Sequence, residues 1–129
     1  MKNKPDIWQD PRGFTLIEII CVLVIISVIS AMAFTKILQA DQGAQFTALN
    51  QGTAELNVRE NVTWAIAKIN TDVIDDTLIW SQLDKNLGNW YSWVPEPKQS
   101  GSSTLRFKET EVSITRFVSS NTQPGKWRR

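Results

Sequence analysis

The sequence predicts an α+β protein: a long N-terminal apolar helix, membrane-spanning in its first half, packed by its second half on a small antiparallel sheet. Three observations predict it. Phe14 to Phe34 is an apolar run of bilayer length. Apolar residues then recur at helical spacing from Leu49 to Val73, with no proline between Pro11 and Pro95. Further on, "STLRFKETEVSITRFV" alternates as paired strands do.

The apolar run comes first. Its 21 residues include 13 Ile, Leu, Val or Phe, and only Thr15, Glu18, Ser27 and Ser30 break it. As a helix it rises about 32 Å, close to the hydrocarbon thickness of a bilayer. The large apolar residues favour insertion by about 4 to 8 kcal/mol in total, whereas one carboxylate near an end costs less than the roughly 3 kcal/mol it costs at mid-membrane. Insertion therefore survives Glu18. Lys2, Lys4 and Arg12 precede the run, which predicts a cytoplasmic N-terminus and a translocated C-terminal body.

A rival reading takes Ala31-Met32-Ala33 as a signal-peptidase site that releases a soluble secreted binding module beginning at Phe34. The run is longer than an ordinary signal-peptide core of about 7–15 residues, and Glu18 interrupts it. A plain single-pass anchor is the third reading. It leaves unexplained why "PRGFTLIEII" sets a glutamate four residues after a Gly-Phe junction.

Composition excludes several functions. The chain has no histidine and a single cysteine, Cys21, so it offers no intrachain disulfide, no Cys/His zinc site and no imidazole catalysis. No nucleophile-base spacing supports an enzyme, and no cofactor or metal is expected. Beyond residue 13 the charges balance, so no basic footprint predicts nucleic-acid binding.

"RGFTLIEI", Arg12 to Ile19, resembles the processing signal of type IV pilins and type II secretion pseudopilins. The resemblance covers roughly residues 12–35. It implies that a membrane prepilin peptidase cuts between Gly13 and Phe14 and then methylates the Phe14 amine. It also implies a leader of residues 1–13, an assembly helix over 14–35 and a periplasmic α+β domain over 36–129. The expected partners are the peptidase, other pilin or pseudopilin subunits, an inner-membrane assembly platform and lipid. The expected location is the inner membrane and then a pilus or pseudopilus. Many pilins carry a proline near the membrane exit, and this chain does not.

Physical chemistry gives Glu18 its place in that scheme. A carboxylate in an apolar helix bundle needs a paired cation or a proton. No other charge occurs between Phe14 and Lys36, and cleavage creates one at the Phe14 amine. Glu18 of one copy is expected to receive the Phe14 amine of a neighbour as the helices pack.

The body reads more coarsely. Leu49, Leu56, Val58, Val62, Ala65/Ile66, Ile69 and Val73 form the stripe expected to lie on the sheet, with Gly43 and Gly52 as points of loosening. A hairpin is expected with Leu105 and Phe107 facing Val112 and Ile114 across a turn at Lys108–Glu111. "TLIWSQL" (77–83) fits a short helix or strand, "NWYSWV" (89–94) a strand, and 95–103 a loop. Asp72, Asp75 and Asp76 lack calcium-loop spacing and fit a helix boundary better. Trp80, Trp90, Tyr91 and Trp93 fit core packing better than a stacking platform. The tail "PGKWRR" reads as a frayed, solvated terminus, and Asn61-Val62-Thr63 as a chance sequon.

Overall fold

A computed structural model describes residues 15–129. They comprise helix α1 (Leu16–Asn70), a short helix α2 (Asp76–Gln82), and strands β1 (Tyr91–Trp93), β2 (Gly101–Phe107), β3 (Thr110–Phe117) and β4 (Lys126–Arg128). The chain divides into two compact units, one ending at Gln39 and one spanning Ala40–Arg129, and α1 contributes residues to both.

The sheet is a meander in the order β1-β2-β3-β4, every pair antiparallel. The predicted hairpin is β2–β3, with Leu105 opposite Val112 and Ser103 opposite Ile114. Its turn is tighter than expected. Phe107 pairs with Thr110, so only Lys108 and Glu109 lie outside the ladder, and Lys108 takes the left-handed conformation at φ 53°. The predicted strand at 89–94 is β1, the 77–83 segment is the helix α2, and Gly101–Ser103 belong to β2 rather than to the loop. Outward side chains pair across strands, with Ser102 bonded to Thr115 and Arg106 to Glu111.

The second half of α1 lies on the inner face of this sheet. Leu49 and Leu56 join Leu83, Leu105, Val112, Ile114 and Trp127 in one core, and Trp64, Ala67, Ile74, Leu78 and Ile79 form a smaller cluster. The expected stripe needs correcting. The buried side of α1 is Gln45, Leu49, Gly52, Leu56, Glu60 and Ala67, while Val58, Val62, Ile66, Ile69 and Val73 are exposed. Both sets have helical spacing, and a large apolar residue scores alike whether it faces sheet or solvent. The side that meets the sheet carries Glu60, which receives Arg116 and Trp127 there.

Gly52 is a contact point rather than a loose joint. α1 continues through it, and a Cβ there would lie 2.8 Å from the Tyr91 ring and 3.3 Å from Leu105 and Leu87. The Tyr91 ring is held against Phe107 and by its hydroxyl, which donates to the Ala48 carbonyl at 2.8 Å. Gly52→Ala should therefore destabilise the unit on the order of 1–2 kcal/mol, because overpacking outweighs the roughly 1 kcal/mol gain in helix propensity. A thermal melt that rises instead would contradict this contact.

Four elements meet at a buried charge network. Arg116 of β3 and Glu60 of α1 are 1% and 0% exposed. The guanidinium donates to Glu60 Oε2 at 3.1 Å and to both oxygens of Asp76, at 3.0 and 2.8 Å. Trp127 Nε1 donates to Glu60 Oε2 at 3.1 Å, while Gln99 Nε2 and the Ser119 amide donate to Asp76 at 2.9 and 2.7 Å. Burial alone would raise the Asp76 pKa, yet Arg116, Ser119 and Gln99 outweigh it and hold the carboxyl well below its usual range. Burial likewise opposes the Arg116 charge, and the two carboxylates overcome it, raising its pKa. Gly125 makes room here, since a Cβ would collide with the Glu60 carboxylate and the Phe117 carbonyl.

The tail corrects a further expectation. Residues 126–128 form strand β4, paired with β3, and Trp127 is 1% exposed in the core against Trp80 and Trp93. The outward backbone of Trp127 is satisfied by Asn57. Its N–H donates to Asn57 Oδ1 at 2.8 Å, and its carbonyl accepts from Asn57 Nδ2 at 3.0 Å. An apolar residue flanked by charges is also what a short edge strand looks like, and the terminal position favoured the wrong choice.

Candidate functional site

The residues singled out from the sequence lie at the start of α1. Gly13 and Phe14 fall outside the described residues, as do residues 1–12 of the expected leader. Glu18 is within them, in the first turn of α1. Its carboxylate accepts from the Thr15 amide at 2.8 Å and the Thr15 hydroxyl at 3.0 Å, and its own amide donates to Thr15 Oγ1 at 3.4 Å. This is a capping box, in which two residues three apart satisfy each other's otherwise orphaned donors. Sequence reasoning assigned no role to Thr15. The signal was present as Thr15-x-x-Glu18 ahead of an apolar run.

Glu18 thus starts the helix from its own side chain. The large apolar residues from Leu16 to Leu38 are exposed, and no residue of the strongly apolar stretch is buried within the chain. Two of its hydroxyls are bonded back to the helix: Ser27 to the Leu23 carbonyl at 2.7 Å and Thr35 to the Met32 carbonyl at 2.8 Å. Cys21 is an exposed free thiol on the same stretch.

Elsewhere the candidate residues are structural. Asp75 caps α2 through the Thr77 amide, at 3.2 Å, and Asp76 receives Arg116, so their carboxylates do not converge. Trp80 and Trp93 pack on Trp127, with ring centroids 6.3 and 5.7 Å away, and Tyr91 packs on Phe107 at 4.9 Å. Trp90 departs from the expected core role, being 69% exposed.

Comparison with known proteins gives one match. The family model described as the prokaryotic N-terminal methylation motif covers residues 9–34. No curated protein and no solved structure matches the chain. The match spans the capping box and most of the exposed apolar stretch, which marks these residues as a prepilin-type signal.

Proposed function

We propose that this chain, which carries the prepilin-type methylation motif, is a structural subunit of a type IV pilus or type II secretion pseudopilus, held in the inner membrane before assembly. Prepilin peptidase removes residues 1–13 and methylates the Phe14 amine. The domain that follows the membrane segment lies in the periplasm and joins other pilin or pseudopilin subunits through an assembly platform. The observation that carries the reading is the motif over residues 9–34 coinciding with an exposed apolar helix started by Glu18. The motif points to a structural role rather than to catalysis by this chain.

In this scheme cleavage acts as a licence to polymerise. Before it, the Phe14 nitrogen is held in the peptide bond to Gly13 and carries no charge. After it, the amine of Phe14, charged also when monomethylated, is received by the Glu18 of an adjacent copy. The secreted-module reading is less well supported. Its cleavage point after Ala33 falls inside α1, which runs unbroken from Leu16 to Asn70.

Two experiments test the reading. N-terminal sequencing and intact mass of the mature chain should give a start at Phe14 with one methyl group, and a start at Phe34 or elsewhere would overturn it. Glu18→Gln separates capping from charge, because the amide oxygen still accepts from Thr15. We expect this variant to insert normally and to lose assembly, since removing one partner of a buried pair costs about 3–5 kcal/mol. Filament yield equal to the native chain's would mean that capping alone is the role of Glu18.

A further inference from the structure

We infer that the Ala40–Arg129 unit carries two complementary patches through which one copy of the chain docks head to tail on the next. The inference rests on the assembling-subunit reading above and names the surfaces involved. The first patch is the row that sequence reasoning placed in the core: Val58, Val62, Ile66 and Ile69, exposed by 55, 52, 51 and 84%. Their spacings of four, four and three set them on one side of α1, away from the Leu49–Leu56–Glu60 side. Exposed apolar residues are ordinary when scattered, whereas a contiguous row marks a covered surface. Its rim holds Arg59 between Glu55 and Asp84, at 2.8 and 3.0 Å, so two carboxylates share one guanidinium and a negative charge is left over.

The second patch is Phe117 and Val118 at the end of β3, each 53% exposed. With Pro124, Lys126 and Arg128 they line a concavity of about 260 Å³. The Arg128 guanidinium lies 5.8 Å from the Phe117 ring centroid, and among the described residues neither Lys126 nor Arg128 is in an ion pair. This patch is apolar with a positive rim, the match of an apolar row with a negative one.

Charge complementarity selects the occupant. Each patch would repel its own copy and attract the other. The two also lie on opposite flanks of α1. Arg59 bonds Asp84 and Asn86 on one flank, while Asn57, Trp64 and Lys68 bond Trp127, Ser120 and Asn121 on the other. A contact between unlike patches leaves one of each free on every pair. Such heterologous contacts propagate into rings or open filaments rather than closing as dimers.

The test uses the full chain in its native membrane. On a Cys21→Ala background, Val62→Cys and Phe117→Cys are introduced together and treated with a short bis-maleimide. A ladder of covalent multimers of this chain is expected, with no product from either cysteine alone. Arg128→Glu should weaken the ladder about tenfold, and Asp84→Lys in the same chain should restore it. A mature chain that starts at Phe14 but gives no ladder would overturn the inference. So would dimers from Val62→Cys alone, or adducts only with a different protein or with lipid. A chain that starts elsewhere would instead defeat the functional reading on which the inference rests.

Discussion

Arg116→Ala is expected to unfold much of the Ala40–Arg129 unit. The substitution leaves Glu60, fully buried, and Asp76, largely buried, facing each other with no cation between them. Breaking a buried pair from one side costs about 3–5 kcal/mol. A domain of this size has a total stability of roughly 5–13 kcal/mol, so the loss is a large share of it. A thermal melt of the full chain in detergent, followed by circular dichroism, would show it. Glu60→Gln should cost less, because its amide oxygen still accepts from Arg116 and Trp127. Equal effects from the two variants would contradict this, because Glu60→Gln opens no cavity and leaves no carboxylate stranded.

The same network sets the acid response. Asp76 has a folded pKa below its ordinary 3.8, so its contribution is present in full above that value. Stability is lost as pH falls from there through the depressed folded value. The unit should therefore keep its near-neutral stability down to about pH 4 as far as Asp76 is concerned. Asp76→Asn should flatten the loss below that point, which melts at several pH values would read.

The second large effect is expected at Gly13. On the proposed processing by prepilin peptidase, Gly13→Val should abolish the cut, because a cleft built for glycine before the scissile bond would have no room for a branched side chain. The full-length precursor would then accumulate in the membrane with its apolar helix inserted. It would lack the Phe14 amine, and Glu18 would keep only its Thr15 contacts. Assembly should fail to the same extent as in Glu18→Gln, by loss of the opposite partner. Intact mass of membrane-extracted protein reads the outcome, and a Phe14 start in the Gly13→Val chain would contradict the assignment.

How much was legible depended on whether a feature is local. The apolar helix, the hairpin and Glu18 are written in consecutive residues, so period and composition reveal them. The position of Glu60 inside a packed face was not, because its partners Arg116 and Trp127 come from elements 56 and 67 residues away. Periodicity also could not say which of two apolar rows on α1 meets the sheet. Leu49 and Leu56 lie on one row and Val58, Val62, Ile66 and Ile69 on the other, and only the tertiary partners of Glu60 and Gly52 distinguish the two. Thr15 was a different omission. Its capping pattern is local, and the carboxylate that serves as a charge in the apolar run is also the acceptor for the Thr15 amide and hydroxyl.

Asn57 has one more consequence. A helix amide already fills the bonding positions beside Trp127 where a fifth strand would begin. An incoming strand would first have to displace it, so the sheet stops at that flank by chemistry and cannot be extended there into a continuous ribbon. A neighbour that meets this flank must then be held there by side chains and not by a shared ladder.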